Sequence, residues 1–126
     1  MTKESRVLVA VEDDPDFQRL IRVTLAEEPR LALAEDVPTT IGKAVEVAKT
    51  LAPRLIILDH NLQGKMVGLT GAKKLKEAAP EAKILLFTAY DVAAEARRES
   101  AIDEYLHKDD VDQLLEMARR LAGLSP

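Results

Sequence analysis

The chain has 126 residues, 47% hydrophobic and 32% charged, with a net charge of -4; that is enough for one domain with its own core and too little for a second of useful size. The negative balance, with no basic run, argues against direct nucleic-acid binding. Cysteine is absent, which removes disulfides, thiol catalysis and thiolate metal sites and fits a cytoplasmic protein, and no apolar run is long enough to span a membrane.

The start Met1-Thr2-Lys3-Glu4 lacks a signal-peptide core. Arg6 to Val11 predicts the first strand, apolar from Val7 onward, and Glu12, Asp13 and Asp14 follow at once. Asp14 suits a helix N-cap and Pro15 the first helical turn, where its missing N–H costs nothing. Phe17, Leu20, Ile21, Thr24 and Leu25 recur at helical spacing, so the first helix buries one face. Glu27-Glu28-Pro29 ends it. Leu31 to Val37 alternates weakly and predicts a second, more exposed strand. Pro38-Thr39-Thr40 opens a helix with Ile41, Ala44, Val45, Ala48 and Leu51 on one face, and Pro53 stops it.

Leu55-Ile56-Ile57-Leu58 is apolar at every position, as suits a strand buried on both faces of a parallel sheet. Asp59 falls at its carboxyl end. A polar loop with Gly64, Gly68 and Gly71 is expected next, then a short helix to about Ala79, closed by Pro80. Ile84 to Phe87 predicts the fourth strand, ending in Thr88-Ala89. Val92 to about Ser100 predicts the fourth helix, with Arg97 and Arg98 on its solvated side. Tyr105-Leu106 belongs to a short fifth strand ending near Lys108, and Val111, Leu114, Leu115, Ala118 and Leu121 mark the last helix.

Strand and helix therefore alternate five times, which implies an α/β fold with a parallel sheet covered on both faces. Right-handed crossovers put all the strands' carboxyl ends on one edge. Glu12 and Asp13, Asp59, Thr88 and Lys108 all fall there, at the edge where such sheets hold ligands. Three carboxylates close together need a cation, and hard oxygen donors without cysteine or clustered histidine favour Mg²⁺. A lysine beside it suits a phosphoryl group as a point charge, and a carboxylate can act as a nucleophile and become an acyl phosphate.

Each residue also has a plain reading. Asp59 alone could start a turn, Thr88 could end a strand, and Tyr105 could be a half-buried packing residue. Lys108 beside Asp109 and Asp110 could form a solvated ion pair. His60 and His107 have no metal-ligand spacing and read as surface or edge residues.

Taken together, Glu12-Asp13, Asp59, Thr88-Ala89, Tyr105 and Lys108 resemble the receiver domain of two-component response regulators, the CheY-like superfamily, from about Arg6 to Leu121. The resemblance implies a flavodoxin-like, doubly wound five-stranded parallel sheet in the order 2-1-3-4-5, as a single receiver domain over 1–126 with its core at about 6–121. It implies that Asp59 accepts phosphate from a sensor histidine kinase or phosphotransfer protein. Asp13, Asp59 and the backbone carbonyl of Asn61 would bind Mg²⁺, with Glu12 acting through a metal-bound water. Lys108, Thr88 and the Ala89 backbone would contact the phosphoryl group. Thr88 and Tyr105 would form a switch that remodels the face of the fourth helix, fifth strand and fifth helix for a downstream protein partner. A kinase could dock near Gln18 and Arg22, and Asn61 and Tyr90 would flank the point of water attack.

The sequence departs from the family pattern in three places. Lys108 is followed by Asp109 instead of a cis proline, so a trans bond is expected, because a cis bond before a non-proline costs roughly 2.5–4 kcal/mol. Gln63 stands where a proline is usual, four residues after Asp59. The segment from Gln63 to Gly71 is longer and richer in glycine, and the third and fourth helices read as slightly short. Two alternatives stand beside the receiver reading. One is a receiver fold that no longer switches and serves as a scaffold. The other is an aspartyl-phosphate phosphatase of the haloacid-dehalogenase type, which needs a second acid where Asn61 stands. A flavin site is weaker, because the acidic loop after the first strand would repel a phosphate.

Overall fold

The apolar stretches become the strands of one sheet: β1 (Arg6–Val11), β2 (Leu31–Leu33), β3 (Leu55–Leu58), β6 (Lys83–Thr88) and β7 (Glu104–His107). Between β3 and β6 lie two further short strands, β4 (Asn61–Leu62) and β5 (Lys65–Met66). The computed structural model describes residues 6–124; the start Met1 to Glu4, read above as lacking a signal-peptide core, lies outside the described residues. The sheet order is β2-β1-β3-β6-β7, with every neighbouring pair parallel. This is the expected 2-1-3-4-5 order once the antiparallel β4–β5 pair is set apart as a separate hairpin.

Period-two alternation divides the strand residues between two cores. Val9, Val11, Ile56, Leu58, Ile84 and Leu86 face one side, beneath α2 (Ile41–Leu51), α3 (Gly68–Ala78) and α4 (Ala93–Arg98). Leu8, Ala10, Leu55, Ile57, Leu85 and Phe87 face the other, beneath α1 (Pro15–Leu25) and α5 (Leu114–Leu121). Each fully buried aliphatic side chain contributes roughly 1.5–3 kcal/mol, so the central strands hold the site edge rigid. Asp14 caps α1 as expected, accepting the Asp16 N–H at 2.9 Å, with Pro15 in the first turn.

Several boundaries differ from the sequence reading. β2 stops at Leu33, not Val37, because the chain leaves this edge of the sheet after the Ala34 N–H bonds to the Leu8 carbonyl at 2.8 Å. Leu51, at the last turn of α2, is exposed instead of buried. α4 covers only Ala93–Arg98, while α3 has a full 11 residues and is not short. Val111 lies in a 3₁₀ turn, Lys108–Gln113, that precedes α5. No cis peptide bond occurs among the described residues, so Lys108 and Asp109 are joined in trans.

The largest difference is the expected loop from Gln63 to Gly71. Its first half is the β4–β5 hairpin, and α3 already begins at Gly68. Gln63 (φ 54°) and Gly64 (φ 79°) both take left-handed backbone, the signature of a two-residue type I′ turn. Gly68 is needed for close approach: a Cβ there would meet the His60 Cα at 2.6 Å. His60 is correspondingly buried, not a surface residue, and its Nδ1 accepts the Gly68 N–H at 3.2 Å.

Candidate functional site

The carboxyl ends of β1, β3 and β7 bring the charged residues together. Lys108, directly after β7, places its ammonium 2.9 Å from Glu12 Oε1 and 3.1 Å from Asp59 Oδ2. All three side chains are buried, and the ammonium lies 3.9 Å from the centroid of the Phe17 ring. That face of an aromatic ring attracts a cation, so Phe17 helps hold Lys108 over the acids. Asp13 is half-buried beside them. Glu12, Asp13 and Asp59 each offer an oxygen, all within 4.8 Å of one another.

Charge balance in the cluster is uneven. Burial pushes the Glu12 carboxyl up to about 7, and the Asp59 charge adds to the rise, against the opposing hydrogen bond from Lys108. Burial works against the Lys108 ammonium, but its hydrogen bond to Glu12 and the charges of Glu12 and Asp59 outweigh that and hold its pKa above the ordinary lysine value. One ammonium is thus shared between two buried carboxylates, with a third nearby. The donor set fits a hard divalent cation: three oxygen donors from separate side chains and an excess of negative charge that a cation would offset.

Asn61 borders the same cluster. The Val67 N–H bonds to the His60 carbonyl at 2.8 Å, and Asn61 lies opposite Met66 one step toward the turn. In an antiparallel pair that position alternates to the non-hydrogen-bonded type, so the N–H and C=O of Asn61 turn away from Met66. Its N–H points to Asp59 Oδ1, at 3.4 Å.

The other predicted residues occupy three different situations. Ala89 lines the same cleft of about 250 Å³ as Asp13, Asp59, Asn61, Tyr90 and Lys108. Thr88 is fully buried behind the wall of that cleft, and its Oγ1 accepts the Tyr90 N–H at 3.4 Å. Tyr105 lies outside the cleft, and its hydroxyl donates to the Tyr90 carbonyl at 2.6 Å. Tyr90 in turn accepts from Asn61 Nδ2 at its own hydroxyl, 2.8 Å away. Residue 90 therefore joins the cleft to both Thr88 and Tyr105. Gln18 is half-buried, its Nε2 donating to the Glu12 carbonyl at 2.7 Å, and Arg22 is exposed on the same helix.

Two contributors escaped the sequence reading. Phe17 reads there only as a core position of α1. Gln63 reads only as a missing proline, yet its N–H donates to Asp13 Oδ2 at 2.8 Å. The left-handed turn that aims this bond has no strong signal, since Gln-Gly is not among the favoured type I′ pairs.

Comparison with known proteins agrees with the fold. The response regulator receiver domain model matches residues 7–119. The chain belongs to this family of signalling modules, the receiver domains of two-component response regulators. It is similar to the response regulator protein TrrA of Thermotoga maritima, solved with Mg²⁺ and BeF, at 28% identity and TM-score 0.78, covering 92% of this chain and 98% of that one. A LuxR-family two-component response regulator from Aurantimonas sp. matches at 22% identity and TM-score 0.81, over 95% of this chain and 87% of that one. The response regulator domain of Thermotoga maritima CheB shares the fold at 15% identity and TM-score 0.79, over 97% and 99%. No curated protein matches the chain in sequence. Among the described residues, no helix is long and apolar enough to cross a membrane.

Proposed function

We propose that Asp59 is the phosphoacceptor and that it draws its phosphoryl group from the phosphohistidine of a sensor histidine kinase or phosphotransfer protein. The observation that carries this reading is the sharing of Lys108 between Asp59 and Glu12, with an oxygen of Asp13 within 4.8 Å of an oxygen of each acid. In the transfer, an Asp59 oxygen forms the new P–O bond as the P–N bond to the donor imidazole breaks, and the imidazole leaves with the electron pair. Asp13, Asp59 and the Asn61 carbonyl would hold Mg²⁺ directly, with Glu12 behind a water. When bound, the cation offsets the repulsion between the acids and an anionic donor.

Lys108 is already poised for its part. It has only to turn from the Asp59 carboxylate to a phosphoryl oxygen carried on that carboxylate, keeping Glu12 as its partner. Ala89 lines the cleft, and its backbone would make a second contact. To donate to the phosphoryl group the buried Thr88 side chain would have to turn toward the cleft, and turning would break its long bond from the Tyr90 N–H. That exchange frees the 90 segment, to which the Tyr105 hydroxyl is tied, and so passes the event to α4, β7 and α5. The phosphoryl contacts would favour one of two arrangements of this segment, as a population shift requires. A downstream protein would read that face. Action through protein contact and a cytoplasmic setting go with this reading, supported by the acidic, cysteine-free composition.

Acetyl phosphate with Mg²⁺ should label the protein with one phosphoryl group, detectable by mass. Labelling should vanish in Asp59→Asn and in a chelator. A label that persists in Asp59→Asn would refute the assignment. Continued turnover of an added phosphate ester would instead favour a phosphatase.

A further inference from the structure

The hairpin that replaces the expected loop reaches into the site from the side. Its turn residue Gln63 makes two bonds to separate segments. The main-chain N–H donates to Asp13 Oδ2 at 2.8 Å, across 50 positions of sequence. The side-chain Nε2 donates to Thr39 Oγ1 at 3.2 Å, just before α2. Gln63 holds a left-handed backbone, φ 54°, that a side chain disfavours. A non-glycine residue kept in that region beside a cleft is held there by its surroundings, and functional sites are where such positions gather. A proline, usual at this position in receiver sequences, could supply neither feature: it has no N–H and its φ is fixed near -65°.

We infer that the Gln63 main-chain N–H is a positioning group for Asp13. It fixes one carboxylate oxygen, Oδ2, and leaves the other to meet a cation beside Glu12 and Asp59. The half-buried Asp13 can otherwise rotate, so holding one oxygen lowers the ordering cost of binding metal through the other. Groups that hydrogen-bond a ligating carboxylate commonly act in this way. The Thr39 bond ties the same turn to the start of α2, while the left-handed backbone at 63 and 64 aims the N–H. This inference rests on the reading of Asp13 as a metal ligand, and the experiment separates the two.

The full chain would be prepared with the α-hydroxy acid analogue of glutamine at 63, an ester in place of the amide that removes the N–H and leaves the Leu62 carbonyl in place as a weaker acceptor. Gln63→Gly is the companion, keeping the N–H and suiting the left-handed backbone. Affinity for Mn²⁺ is read by electron paramagnetic resonance, and for Mg²⁺ by competition. The ester should weaken cation binding about tenfold, while Gln63→Gly stays close to the parent chain. Should the ester bind Mn²⁺ as tightly as the parent chain, the inference fails while the site reading stands. A parent chain that binds no Mn²⁺ removes the site reading and this inference with it. A second measurement needs no variant: in the ¹⁵N-labelled parent chain, the Gln63 amide proton should stay protected from exchange when Mg²⁺ saturates the site. Its release on Mg²⁺ binding would overturn the proposal.

Discussion

Glu12 and Glu28 are both buried, at 1% and 6% exposure, yet their carboxyls are driven in opposite directions. Glu28 lies beneath two guanidiniums near the surface. Arg30 Nε donates to its Oε2 at 3.0 Å and Arg30 Nη2 to its Oε1 at 3.1 Å, while Arg119 Nε donates to Oε1 at 2.9 Å. These bonds, led by those from Arg30, pull its pKa down to about 2. Glu12 meets one ammonium, which it shares with Asp59, and burial raises it to about 7. The contrast is one of stoichiometry more than depth. Two cations around one acid make a closed structural knot between the end of α1 and α5. One cation among three acids leaves a cluster that still favours another positive charge.

The largest test of that contrast is Lys108→Met. In metal-free protein near pH 8 it leaves Glu12 and Asp59 buried without their cation, a change that typically costs 3–5 kcal/mol; a loss of about 3 kcal/mol is expected here. Millimolar Mg²⁺ should recover much of it. Urea unfolding in chelator and in Mg²⁺ measures both. An equal loss in the two conditions would break the view that cation and ammonium answer the same excess of charge.

Glu12→Gln is next in size. The Glu12 carboxyl titrates near 4.5 in the unfolded chain and at about 7 in the folded one. Between these values the folded state binds more protons, so metal-free stability should fall as pH rises from about 4.5 to 7, on the order of 2 kcal/mol in total. Glu12→Gln should flatten this slope in unfolding measured across the range. A slope that persists in the variant would assign it to another group.

How much of this was legible in the sequence depended on whether a residue's position followed from its own strand. Asp59, Glu12 and Lys108 could be placed because each directly follows a β-strand segment, and parallel strands put their ends on one edge. Val9 and Leu8 could be assigned to opposite faces by alternation alone. The Gln63 bond to Asp13 was not legible, because it depends on a left-handed turn that neither residue type announces. His60 was misread because a histidine alone does not show that Gly68 will press its backbone against it. The Glu28–Arg119 pair joins residues 91 positions apart through side chains on different elements, and no local pattern in Glu27-Glu28-Pro29 foretells it. Periodicity fixes faces and edges; partners across loops come only with the tertiary path.

The smallest effect sharpens the comparison most, because it has the opposite sign. Glu28 is held at about 2 in the folded chain against an ordinary value of 4.5, so its contribution is fully present above pH 4.5 and fades as pH falls toward 2. Glu28→Gln should therefore reduce the acid sensitivity of unfolding below pH 4.5 and leave Mn²⁺ affinity unchanged. Arg119→Met should act in the same window and more weakly, since Arg30 remains. In the metal-free parent chain the two glutamates together favour a stability maximum near pH 4.5, with Glu28 shaping the acid side and Glu12 the neutral side. Saturating Mg²⁺ should reduce the neutral-side slope, since a cation offsets the charge that Glu12 gains on ionising; in acid it competes with protons only at its own ligands, so the part of the acid slope that Glu28→Gln removes should be the same with and without Mg²⁺. If Mg²⁺ changed the part of the acid slope that Glu28→Gln removes, the two clusters would be coupled, and the distinction between a closed ionic knot and an open one would not hold.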